Sequence, residues 1–95
     1  MRIQWPDKYP SEAFTVGASW DARLGTATIT GGTFAILEGN VTLANYRVDP
    51  ADATNTLIDV SAGTPGIQRV LCAVALSDGT ALAEIAEFRI LVSST

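Results

Sequence analysis

The most regular alternation of apolar and polar positions lies near the end of the chain. Two apolar runs, 67–76 and 81–92, flank Ser77-Asp78-Gly79-Thr80. A four-residue connection containing Asp-Gly between two alternating runs predicts a β-hairpin. Val70, Cys72, Val74 and Leu76 fall on one face of the first strand, and Phe88, Ile90 and Val92 on one face of the second, because strand side chains have a period of two. That face is assigned to a core. The opposite face carries Leu71, Ala73, Ala75, Ile85 and Leu91, interrupted by Glu87 and Arg89. An antiparallel sheet that is wet on one side presents polar residues there. The second face is therefore predicted to be covered as well, by another part of the chain or by a neighbouring subunit.

Earlier in the chain, Trp5, Pro6, Tyr9 and Pro10 stand close together, and two prolines in five residues exclude a helix. Residues 1–11 are predicted to be an extended arm or edge strand, with Trp5 and Tyr9 available to a neighbour or Trp5 closing the open end of its own core. Phe14, Val16, Ala18 and Trp20 alternate with Thr15, Gly17, Ser19 and Asp21, which predicts a strand within 12–24 and makes Trp20 its packing anchor. Short Thr-rich strands follow at 26–30 and 33–37, separated by Gly31-Gly32. A turn at 38–40 leads to a strand at 41–48. Residues 49–55 read as a loop, with one helical turn expected at 51–54. The strand at 56–60 turns Leu57 and either Ile58 or Val60 inward, and the corner at 61–66 feeds the hairpin.

Six or seven short strands with turn signals every eight to twelve residues, and no amphipathic helix, predict an all-β fold: an antiparallel immunoglobulin-like β-sandwich, with a small barrel as the alternative. The expected organisation is an arm over 1–11 and one sandwich domain over 12–95.

Composition narrows the use of such a fold. Of the 95 residues 47% are hydrophobic and only 17% charged, a folded chain whose surface is poor in charge. Ten acids against six bases, with no basic cluster, argue against a nucleic-acid surface. The one cysteine, Cys72, sits in an alternating apolar run and is assigned to the core. The first residues lack the apolar centre of a secretory signal and no run reaches the roughly 18 apolar residues of a membrane span, so a soluble chain made in a reducing compartment is expected, with no membrane partner.

Chemistry is hard to find. The chain has no histidine, which removes Ser-His-Asp and Cys-His nucleophiles and the usual zinc sets. Asp49, Asp52 and Asn55 share a loop, but their spacing of three lacks the alternate ligands of a calcium loop, so they are read as turn formers. Glu84 and Glu87 fall on opposite faces of one strand and cannot act as an acid/base pair. The glycines are scattered over separate turns and make no phosphate cradle. No catalytic residue, metal or cofactor is expected, and the chain is read as a non-enzyme. Trp5, Tyr9 and Tyr46 would make a carbohydrate-binding surface only if they shared a groove.

Lys8-Tyr9-Pro10-Ser11-Glu12, the alternating strand after it, and Trp20-Asp21-Ala22-Arg23-Leu24 resemble the opening of the phage fibre-tail adaptor proteins, short virion proteins of tailed bacteriophages. In that family a Lys-x-Pro-x-Glu segment is followed at the same distance by Trp-x-Ala-Arg-Leu. The corner at 61–66, the Asp78-Gly79 turn and a closing strand with Phe88, Ile90 and Val92 also stand where the family has a glycine-rich corner, a turn and a last strand. Phe34 stands where a second tryptophan is frequent. The resemblance implies a structural subunit of the virion, assembled in the host bacterial cytoplasm, that joins tail or fibre components. A capsid decoration protein and a sugar-binding module of a host-recognition fibre are the alternatives. Other virion proteins and further copies of the chain are the expected partners, with Trp5, Tyr9, Leu71, Ile85 and Leu91 as the candidate contact residues.

Overall fold

The computed structural model describes residues 2–92. The chain runs through β1 (Arg2–Gln4), β2 (Phe14–Ser19), the helical turn α1 (Asp21–Leu24), β3 (Ile29–Glu38), β4 (Thr42–Asp49), β5 (Asp52–Ser61), β6 (Gly66–Leu76) and β7 (Ala81–Ile90). These form a four-stranded sheet in the order β1-β7-β6-β3 and a three-stranded sheet in the order β2-β5-β4. Every pair is antiparallel except β1 with β7. The fold is the expected all-β sandwich of immunoglobulin type, with the first strand attached to the edge of the sheet that holds the closing hairpin. Met1 and residues 93–95, the outer ends of the expected arm and domain, lie outside the described residues.

The β6–β7 hairpin forms as its alternation requires, with unbroken register from Gly66↔Ile90 to Ala75↔Ala81. Gly79 takes φ 87° in the turn, and the Leu76 N–H closes the connection on the Thr80 carbonyl at 2.9 Å. Its inner face supplies Val70, Cys72, Val74, Leu76, Ala86, Phe88 and Ile90 to the core. The other sheet supplies Val16, Ala18, Ile58 and Val60, while Trp20, Leu24 and Val41 fill the ends. Trp20 is fully buried, and its Nε1 donates to Thr56 Oγ1 at 3.1 Å, so its one polar atom is satisfied inside the core.

Several local expectations change. The strand predicted over 12–24 stops at Ser19, and the helical turn lies at Asp21–Leu24 rather than at 51–54. Helix-forming Ala22, Arg23 and Leu24 favour the turn, and Gly25 at φ 62° ends it. Gly31-Gly32 does not break the chain: β3 passes through both, with a register irregularity between Ile29 and Gly31. A Cβ on Gly32 would stand 2.6 Å from the Ala73 carbonyl oxygen and 2.7 Å from the Tyr46 hydroxyl, so glycine there permits close packing rather than a turn. The predicted loop at 49–55 shrinks to Pro50-Ala51, because Asp49 pairs directly with Asp52 across a two-residue connection. Thr56, Ile58 and Val60 point inward and Leu57 outward, which fixes the parity of β5. Val92, assigned to the core, lies beyond the end of β7 and is 76% exposed.

The arm is part of the sandwich. The Trp5 N–H donates to the Glu87 carbonyl at 3.0 Å, the Lys8 N–H to Arg89 at 3.1 Å, and the Leu91 N–H back to Lys8 at 2.8 Å, so the segment tracks β7 well past β1. Trp5 is 3% exposed; its ring packs on Phe34 and Phe88, and its Nε1 donates to the Gly17 carbonyl at 3.0 Å, joining the two sheets. Trp5 therefore closes its own core and is withdrawn from the contact candidates. Lys8, the only lysine, is also fully buried. Its Nζ donates to the carbonyls of Tyr9 at 2.7 Å, Pro10 at 3.3 Å and Ala62 at 2.8 Å, one acceptor for each of its three protons. Burial pushes its ammonium below the usual range, and Glu12 partly opposes that shift.

Candidate functional site

The two outer faces of the sandwich differ in chemistry. On the three-stranded sheet, Thr15, Ser19, Asn55, Asp59, Ser61 and Thr42 point outward, with Leu57 between Asn55 and Asp59 as an apolar member of the same side. Asp59 is the hub of that side, accepting hydrogen bonds from Thr15 Oγ1 at 2.7 Å, Asn45 Nδ2 at 2.9 Å and both terminal nitrogens of Arg47 at 3.3 Å. Those hydrogen bonds, the Asn45 amide first, hold its carboxyl below the usual carboxylate range. Asn45 reaches it from φ 59° at the register irregularity of β4. This side is built for water.

The outer face of the four-stranded sheet is built from small and aliphatic side chains. Register places Leu71 beside Ile85, Ala73 beside Ala83 and Ala75 beside Ala81. On β3, Ala35, Thr33 and Gly31 extend the same three rows. Leu71 and Ile85 form a ridge bordering a hollow of about 230 Å³, and the row beyond Ala73 is a second hollow of about 290 Å³ lined by Gly31, Thr33, Ala75 and Ala81. Past the ridge Arg69 pairs with Glu38 and, at 3.1 Å, with Glu87, and β1 sets Arg2 in register with Ile85 at the outer end of the ridge row. No described segment of the chain lies over the rows from Leu71 to Ala75, whose members remain half-buried or exposed.

The structure thus brings Leu71 and Ile85 together and separates the other candidates from them. Leu91 lies beyond the end of β7, six residues on from Ile85 with Glu87 and Arg89 between. Tyr9 is 41% exposed in the turn that follows Lys8, where its N–H donates to Glu12 Oε1 at 2.6 Å. Trp5 is in the core, and Tyr46 packs inward on Phe34 at 5.8 Å, so the three rings proposed for sugar stacking share no groove. Ala81, Ala83, Gly31, Thr33 and Ala35 belong to the site and were not singled out from the sequence. The parity of the β7 alternation marks the two alanines, but pairing with β3 has no local signal.

The acidic and nucleophilic side chains are committed elsewhere. Asp49 accepts the Ala51 N–H at 2.9 Å, and Asp52 accepts from Thr54, as turn formers do. Glu84 is buried and paired with Arg23. Burial, with Glu84 adding to it, pushes the Cys72 thiol up to about 12, the condition of an inert core cysteine. Among the described residues no group of three or more Asp, Glu or Cys could hold a metal, and no helix is long and apolar enough to cross a membrane.

Most of the motif residues of the opening segment have structural roles. Lys8 and Glu12 fold the turn after β1, Trp20 and Leu24 fill the core, and Arg23 compensates Glu84. No protein-family model matches the chain, and no curated protein matches it.

Proposed function

We propose that this chain is a non-enzymatic structural and assembly protein of a bacteriophage virion, joining tail or fibre components through its β-sandwich. The observation that carries the reading is the contrast between its outer faces. One face carries a hydrogen-bond network centred on Asp59, while the other leaves Leu71 and Ile85 over a floor of alanines. A contiguous apolar patch rimmed by charge marks a protein contact surface. The resemblance of Lys8–Glu12 and Trp20–Leu24 to the fibre-tail adaptor proteins supplies the context, a virion assembled in the bacterial cytoplasm. The dispersal of Trp5, Tyr9 and Tyr46 speaks against the sugar-binding alternative.

The test uses the phage that encodes the chain. Mass spectrometry of purified particles should find the protein. The variant Leu71→Glu with Ile85→Lys should keep the native thermal melt, since both side chains sit outside the core, yet be lost from the particles. Absence of the native protein from the particles, or normal incorporation of the folded double variant, overturns the reading.

A further inference from the structure

The apolar face has a shape that fits itself. Along the strands it is a ridge, Leu71 with Ile85, then a level row, Ala73 with Ala83, then a trough, Ala75 with Ala81. Sheets that pack face to face sit about 10 Å apart with interdigitated side chains. Resting on the reading that this face is a docking surface, we infer that its occupant is a second copy of this chain, packed about a two-fold axis that lies in the interface and crosses the strands at the Ala73–Ala83 row.

That axis carries each ridge into the other copy's trough. Leu71 comes to lie over Ala75 and Ile85 over Ala81, twice over by symmetry. On β3 the same operation sets Ala35 over Gly31. An axis running along the strands would instead set Leu71 on Ile85, ridge against ridge, and hold the alanine floors apart with voids between them. Close-packed interfaces exclude such voids. The Arg69, Glu38 and Glu87 cluster, two residues beyond the ridge, falls past the end of the other copy's β6 and remains in water as a polar rim.

The area is that of a weak, reversible contact. Three strands over about seven residues, centred on Ala73 and ending at Leu76, give a footprint of about 15 Å by about 23 Å, roughly 700 Å² for the two copies before side-chain relief is counted, in the range of transient associations.

Solution mass and cross-linking test the inference on the full chain. Sedimentation equilibrium should show a doubling of mass with rising concentration, lost in Leu71→Glu. In a Cys72→Ala background, a mixture of Leu71→Cys and Ala75→Cys should be joined by a short bis-maleimide. Leu71→Cys alone, or mixed with Ser19→Cys from the other outer face, should not. Circular dichroism and thermal melts establish that each variant is folded. A constant chain mass, or joining of Leu71→Cys to Ile85→Cys in place of Ala75→Cys, overturns the arrangement. A chain of constant mass that still enters particles through Leu71 would defeat the second copy but not the assembly role. A dimer with the expected cross-link that particles exclude would do the reverse.

Discussion

Arg23 Nη1 donates to Glu84 Oε1 at 3.1 Å, tying the helical turn after β2 to the middle of β7 across 61 residues of sequence. Glu84 is the costly member, since its side chain is only 4% exposed and its neighbour across the ladder is the buried Cys72. Removing the guanidinium leaves a buried carboxylate without its charge partner. Arg23→Ala is therefore expected to cost about 2 kcal/mol of unfolding free energy, the order for an unsatisfied buried polar group. Glu84→Gln should cost less, because an amide tolerates burial better, and the double variant should cost less than the two singles added. Urea unfolding of the four proteins completes the cycle; strict additivity would mean that the pair is not coupled.

Tyr46 presents the opposite case. Its hydroxyl is buried with no hydrogen-bond partner among the described residues and lies against Gly32, where even a methyl group would collide with it. Removing an unsatisfied buried polar atom while keeping the ring should be favourable. Tyr46→Phe is expected to raise stability by about 1 kcal/mol, and Gly32→Ala to lower it by about 2 kcal/mol through overpacking. A Tyr46→Phe protein that melts below the native one would show that the hydroxyl has a partner in solution.

The parts legible in the sequence are those governed by neighbours in the chain. The hairpin could be read from Ile67 to Ile90 because the alternation, the Asp78-Gly79 turn and the register are all local. The two-sided apolar character of that hairpin was legible for the same reason. Buried charge was not: Lys8 has two local acceptors in the Tyr9 and Pro10 carbonyls but takes its third from Ala62, 54 residues away, and Glu84 is paired with the distant Arg23, so neither burial is announced by the neighbouring sequence. Gly31-Gly32 misleads because a glycine that admits a neighbour looks the same in sequence as one that makes a turn. Trp5 and Tyr9 look alike as arm aromatics, and only the docking of β1 on β7 places one in the core and the other outside. The Leu71–Ile85 ridge was readable from two strands, whereas its alanine floor needed β3, which enters the sheet from more than 30 residues upstream.

Asp59 ties the polar sheet together and should govern part of its acid sensitivity. Its folded carboxyl titrates below the ordinary 3.8, so the contribution is present above that value and is lost as pH falls through the lowered folded value. Asp59→Asn removes the charge and should flatten the decline of melting temperature below pH 3.8, while lowering the melting temperature near neutrality. Calorimetry of both proteins across that range checks the prediction; parallel curves would assign the acid response to other carboxylates.

At the alkaline end the decisive group is Cys72. In the unfolded chain its thiol ionises near 9.0, but in the fold burial beside Glu84 holds the proton up to about 12. Between those values the unfolded chain has released a proton that the folded chain retains, so rising pH draws the equilibrium toward unfolding. Burial raises Tyr46 as well and acts in the same direction, whereas Lys8, lowered by its burial, favours the fold as pH climbs toward 10.5. The contribution of the thiol is isolated by comparison with Cys72→Ala. That variant should be less stable at neutral pH, because it leaves a small void beside Val70 and Phe88 in the core, and should lose stability more slowly than the native chain from pH 9.0 to about 12. Guanidinium melts at intervals across that range should show the two stability curves converging, and a constant gap between them would mean that the buried thiol does not drive alkaline unfolding.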